Sequence, residues 1–127
     1  MFRIRHKMAT ARKTVYDGTK YDSKFEAREA RDLSMLLKAG KIEGFQAHQR
    51  IPLVVNGFHV SDYYIDFVVH HPDKTIEYIE TKGLTTAVWV LKWKILQAMT
   101  HNDKNVRLTL VSQKPIRLRK IRRDGNG

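Results

Sequence analysis

Asn56-Gly57 lies between two runs rich in β-branched and aromatic residues, 46–55 and 58–69, and no other feature restricts the fold as strongly. A type I′ turn needs positive φ at both central positions, which asparagine and glycine tolerate and most residues do not. The two runs are therefore expected to fold back on each other as an antiparallel hairpin. Pro52 cannot donate to a ladder, so it belongs on an edge or at a strand start. A second reversal at His71-Pro72-Asp73-Lys74 leads into a third run, 75–82, which completes an antiparallel meander.

On either side of the meander the apolar spacing is helical. Residues 22–39 start at a capping residue, Asp22 or Ser23, and stop before Gly40. At about 100° per residue, Phe25, Ala30, Leu33, Leu36 and Leu37 fall within an arc of roughly 140°, with Lys24, Arg28, Arg31 and Lys38 opposite. Ahead of this helix, Tyr16-Asp17-Gly18-Thr19 reads as a turn. After the meander, Gly83 breaks the strand and Thr85 or Thr86 caps a second helix running to about His101. Val88, Leu91, Ile95, Ala98 and Met99 are expected to form its buried face. Trp89 and Trp93 pair one turn apart, where core packing is favoured over stacking on bases. Residues 106–111 form a last strand, reached through a helix and so expected to run parallel to its neighbour. The order predicts an α/β domain: helix, three antiparallel strands, helix, parallel strand, as a mixed sheet flanked by helices.

At 127 residues the chain suits one domain with a single modest core. Its net charge of +11 is concentrated at the ends. Residues 1–13 hold Arg3, Arg5, Lys7, Arg12 and Lys13 with no acid, and residues 114–127 hold six bases against Asp124. The body between them, residues 14–113, is almost neutral, with 13 bases and 12 acids. Two basic arms on a neutral domain are an electrostatic footprint for a polyanion, and DNA is the expected partner. No apolar run is long enough to span a membrane and the N-terminus lacks a secretory core, so a cytoplasmic setting is expected. With no cysteine, disulfides and thiolate zinc sites are excluded.

Five polar residues stand out against this pattern, with Glu26 and Glu29 competing for one of four positions. Glu26 and Glu29 both fall on the apolar arc of the first helix, where a carboxylate is costly unless paired or metal-bound. The helical wheel does not choose between them, and pairing with Arg28 or Lys82 explains them equally well. Asp66 interrupts Tyr63-Tyr64-Ile65-Asp66-Phe67-Val68-Val69, an apolar strand in which aspartate has poor propensity and a large desolvation cost. A structural role would require an arginine, and Arg50 is the main candidate nearby. Glu80 and Lys82, two apart in a strand, project from one face about 7 Å apart, next to the strand carrying Asp66. Carboxylates that hold Mg²⁺, beside a lysine, are the groups that phosphodiester hydrolysis needs.

Asp66 followed by Glu80-Thr81-Lys82 resembles the PD-(D/E)XK signature of the restriction-endonuclease-like nucleases. Tyr21-Asp22-Ser23-Lys24-Phe25-Glu26 resembles the additional helical glutamate motif of many members. The stretch ending Ile79-Glu80-Thr81-Lys82-Gly83 is similar to the small endonucleases of phages and mobile elements, which include Holliday junction resolvase-like enzymes and strand-nicking transposition subunits. The likeness spans roughly residues 16–112. It implies the restriction-endonuclease-like core and a metal-dependent endodeoxyribonuclease acting in phage or mobile-element DNA recombination, replication or processing. By position, Asp66, Glu80 and the backbone carbonyl of Thr81 would ligate Mg²⁺, for which Mn²⁺ can substitute. Glu26 would bind a metal or its water, and Lys82 would be the catalytic lysine. Ile65 stands where the motif has proline, a position at which proline is often missing.

Gln49, on the first strand of the meander, is a candidate beside the metal, and Lys92, Arg117, Arg119 and Lys120 are candidates for contacting DNA. His70 and His71 point to opposite faces and cannot form a zinc pair, and no HExxH, phosphate-cradling glycine loop or nucleophilic triad is present. Two other classes compete with the endonuclease: a non-catalytic basic nucleic-acid-binding protein of the same fold, and a structural basic protein. A dead copy should have lost one of the four polar positions, and a structural protein leaves Asp66 without a reason. A domain this small covers one scissile phosphate, so paired cuts would call for a homodimer.

Overall fold

The computed structural model describes residues 2–6, 14–16, 19–21, 24–112 and 116–124. The Asp17-Gly18 pair, the cap candidates Asp22 and Ser23, and the bases Lys7, Arg12, Lys13 and Lys114 lie outside the described residues. The elements follow the order β1 (Arg3–His6), β2 (Thr14–Tyr16), β3 (Thr19–Tyr21), α1 (Lys24–Lys38), β4 (Gly44–Val55), β5 (Phe58–His70), β6 (Ile76–Lys82), α2 (Ala87–Thr100) and β7 (Val106–Ser112). Five strands form one mixed sheet in the order β1-β7-β6-β5-β4, and β2 pairs with β3 separately. The β4–β5 and β5–β6 pairs are antiparallel, whereas β6–β7 and β1–β7 are parallel.

Local chemistry explains most boundaries. Asn56 at φ 51° and Gly57 at φ 82° supply the two left-handed positions that turn β4 into β5. Pro52 lies on β4, an edge strand, where its missing N–H breaks no ladder. Gly40, at φ 72°, ends α1: its N–H reaches the Leu37 carbonyl and that of Lys41 the Leu36 carbonyl. The Thr86 hydroxyl caps α2 by accepting from the Trp89 N–H at 3.1 Å.

The sheet has a core on each face. Phe25, Ala27, Ala30 and Leu33 of α1 pack with Phe67, Val69, Ile79 and Val111 on one side. Trp89, Trp93 and Leu96 of α2 pack with Leu53, Tyr63, Ile65, Leu108 and Leu110 on the other. Two expected apolar faces therefore need correction. On α2, Val88 and Leu91 are at least 60% exposed and Met99 is 41% exposed, while Ala98 is also exposed. Ile95 alone of the expected set packs against the core. The tryptophans face inward instead, stacked with ring centroids 5.8 Å apart, because burying two indoles removes more apolar area than burying the aliphatic side. On α1, Leu36 and Leu37 are about 40% exposed, because the helix runs past the residues that cover its first three turns.

The ends of the chain are less free than their charge suggests. Residues 3–6 form an edge strand, with Phe2 and Ile4 against the α2-side core. Arg3 pairs with Glu77 at 3.1 Å and Arg5 with Glu29 at 2.5 Å. Residues 116–124 lie along the same side of the molecule: Ile116 and Leu118 pack against the core while Arg117, Arg119, Lys120, Arg122 and Arg123 face solvent. No helix among the described residues is long and apolar enough to cross a membrane.

Candidate carboxylate site

The site lies where two strands part. The pairing of β5 with β6 runs from His70↔Ile76 to Phe67↔Ile79 and ends there, while β6 stays paired with β7 as far as Lys82↔Ser112. Asp66 is the first residue of β5 beyond the last pair. Its Oδ2 accepts both the N–H and the Oγ1–H of Thr81, each at 2.7 Å, so a carboxylate bridges the opening between the strands. Arg50, the arginine considered from sequence, does not clamp Asp66 but pairs with Asp62 at 3.0 Å.

Side chains also change face at this point. Phe45 and Ala47 of β4 pack on the α1 side, but Ile51 and Leu53 pack on the α2 side. Phe67 and Val69 of β5 face α1, but Tyr63 and Ile65 face α2. Residues two apart normally share a face, so each strand turns over between these pairs. The turnover falls at His48 and Asp66, which the flanking pairs Ala47↔Phe67 and Gln49↔Ile65 put opposite each other. His48 takes a left-handed backbone, φ 56°.

Glu80 is buried, and among the described residues its Oε1 has no hydrogen-bond partner. Burial pushes its carboxyl well above the usual range and the Asp66 charge adds to this; Lys82 and a hydrogen bond from Tyr63 oppose it, and the Glu26 charge raises it further. Burial also raises Asp66, against the Thr81 hydrogen bonds and the charges of His48 and Lys82. The Tyr63 hydroxyl accepts from Trp89 Nε1 at 2.9 Å and is held protonated by burial and by Glu80. The Lys82 ammonium lies over the Trp89 ring, 4.9 Å from its centroid. Glu26 enters from the first turn of α1, where the helix N-terminus favours an acid, and its Oε1 lies 2.5 Å from His48 Nε2.

Asp66, Lys82 and Glu26 thus each act on Glu80 electrostatically, Lys82 also acts on Asp66, and Thr81 touches Asp66 directly. The structure also separates the two helical glutamates: Glu29 is committed to Arg5, whereas the charge of Glu26 reaches Glu80. Two lesser candidates make contacts of their own. Gln49 is exposed and turns its amide back to the Ala47 carbonyl at 2.9 Å, and Lys92 donates to the Asp62 carbonyl at 3.1 Å. Arg117, Arg119 and Lys120 are exposed on the C-terminal segment. His48 carried no signal in the sequence, and only the strand register reveals it.

The donor set suits a hard divalent cation. Two carboxylates repel each other in a buried place, and one buried oxygen lacks any donor, so a bound cation would supply the missing counter-charge. With Asp66 turned to Thr81 and Glu26 to His48, no three His, Asp or Glu side chains among the described residues form a ready metal-holding group. A cavity of about 320 Å³ between α2, β7 and the C-terminal segment includes none of these residues in its lining.

No curated protein and no solved structure matches the chain. Residues 5–118 match the profile of the family described as Protein of unknown function (DUF1064), and the chain belongs to that family.

Proposed function

We propose that the protein is a Mg²⁺-dependent DNA endonuclease with a restriction-endonuclease-like core, hydrolysing phosphodiester bonds in branched or nicked DNA. The observation that carries this reading is the buried Oε1 of Glu80, without a donor among the described residues, beside Asp66 at the point where β5 leaves β6. Tyr63 serves this carboxylate in part, and the oxygen left over is what a metal ligand needs.

In this reading Asp66, Glu80 and the Thr81 carbonyl would hold the ion, and Glu26 would bind it or orient a water beside it. A bound divalent cation supplies Lewis acidity at the phosphate and lowers the pKa of water. Lys82 offers its ammonium to the charge that develops on the phosphate oxygens. Trp89 limits where that ammonium can go, since the ring beneath it attracts the cation. The Thr81 N–H and hydroxyl fix the rotamer of Asp66, which presets one ligand before the ion arrives. The solvent-facing bases of the C-terminal segment bind phosphates without reading sequence.

Supercoiled plasmid incubated with Mg²⁺ or Mn²⁺ tests the reading. Nicking or linearisation that EDTA stops is expected. Lys82→Ala should abolish cutting and leave salt-sensitive DNA binding in place. A Lys82→Ala protein that cuts at the wild-type rate, or a wild-type protein that never cuts, contradicts it.

A further inference from the structure

We propose that His48 is the positioning residue of the carboxylate site: its imidazole holds Glu26 where that carboxylate can serve an ion shared with Asp66 and Glu80. The inference rests on the nuclease reading of the same site.

Three independent observations converge on this residue. The first is its backbone. A histidine at φ 56° inside a strand occupies a region that L-residues with a Cβ avoid, and such a conformation persists only where its surroundings enforce it. The second is the register. Between Leu53 and Val54 the β4–β5 ladder shifts, and this irregularity is what sets His48 rather than Ala47 across from Asp66. The third is the contact, with Nε2 of His48 2.5 Å from Oε1 of Glu26, a residue of a different element 22 positions away. The neighbouring polar side chain, Gln49, turns back along its own strand and could not do the same.

These features have one physical consequence. Glu26 enters a region already holding Asp66 and Glu80, and like charges would drive its flexible side chain away from them. A hydrogen bond from an imidazole on the opposing strand fixes the carboxylate's direction before any ion arrives. Outer partners of this kind commonly set the affinity of a metal site, and their loss costs roughly ten- to hundredfold. The left-handed backbone brings the ring out of the strand's regular alternation, at the place where both strands turn over.

The test separates positioning from mere structural support. His48→Gly suits the backbone and removes the ring; His48→Asn also tolerates φ 56° but is too short to reach Glu26; His48→Gln keeps a donor at comparable reach. Each full-length variant is titrated with Mn²⁺ by calorimetry, melted in EDTA, and assayed on nicked plasmid for kcat and KM. For His48→Gly and His48→Asn relief of the left-handed backbone offsets the lost hydrogen bond, and a melting temperature close to that of the wild type is expected. Mn²⁺ binding should be about tenfold weaker or worse, kcat should fall by a similar factor, and KM for DNA should stay within about twofold. His48→Gln should recover part of both losses. If the wild type binds Mn²⁺ and cuts, and His48→Gly and His48→Asn match it in both, this inference alone is overturned. A wild type that neither binds Mn²⁺ nor cuts overturns the nuclease reading, and the role of His48 with it. Lower melting temperatures with unchanged Mn²⁺ affinity would make His48 a structural residue and also overturn the inference.

Discussion

Replacing Glu80 with glutamine should stabilise the metal-free protein while destroying the site. Glu80 is 6% exposed, its Oε1 lacks a donor, and its charge faces those of Asp66 and Glu26. Because its folded-state pKa is raised, the native state holds the proton more tightly than the unfolded chain does. Stability is then full below the ordinary glutamate range and falls as pH rises from there through the elevated value, so at neutral pH the penalty is present. Leaving a buried polar group unsatisfied costs about 1–3 kcal/mol, more when it is charged. Glutamine keeps the shape and removes the charge, so a gain of about 2 kcal/mol is expected at pH 7.5 in EDTA. An unfolding entropy of about 2.1 cal/mol/K per residue converts this to roughly 7 °C in Tm for a chain of this length. The gain should shrink at about pH 4.5, where the wild-type residue is protonated as well. Addition of Mg²⁺ should raise the wild-type Tm and leave that of the variant unchanged. Calorimetric melts at the two pH values, with and without Mg²⁺, read all of these outcomes. A Glu80→Gln protein that melts at or below the wild type in EDTA at pH 7.5 would refute the reasoning, because Glu80 would then be satisfied in some other way.

Two further expectations concern the surroundings of the site. Trp93→Ala should cost about 3–5 kcal/mol in urea unfolding, whereas Leu91→Lys on the outer face of α2 should change stability by less than about 0.5 kcal/mol; equal losses would mean that the helix is wrongly oriented. Changing Arg117, Arg119, Arg122 and Arg123 together to alanine spares the apolar anchors Ile116 and Leu118. It should weaken DNA binding and reduce the slope of log K against log salt by up to about 3–4; an unchanged slope would exclude this segment from the interface.

Much of the scaffold is legible in the sequence because single residues impose backbone demands. Asn56-Gly57 forces the hairpin, Gly40 ends α1 and Thr86 starts α2, and all are seen where the sequence puts them. The same holds for the strand that returns parallel after α2. The face of α2 is not legible, because Lys92 and Lys94 are its only charged residues and an apolar stripe can be drawn on more than one side. The strand Arg3–His6 is hidden by its alternating arginines and by a pairing about a hundred residues away. Asp66 stands out as a polar residue in an apolar strand, whereas Glu80 and Lys82 gain meaning only from their spacing to it. His48 does not, since counting back from the hairpin turn puts Ala47 opposite Asp66 unless the irregularity at Leu53/Val54 is known. A local shift of one residue therefore conceals the histidine from any reading of pattern alone.

Asp66 and Glu80, in the proposed reading, share a divalent ion. Anomalous diffraction from crystals soaked in Mn²⁺ tests it most directly. The expected result is a single strong peak between the two carboxylates, about 2.0–2.3 Å from their oxygens and from the Thr81 carbonyl. A soaked crystal with no peak there, or with manganese bound only elsewhere on the surface, would mean that these carboxylates hold no ion.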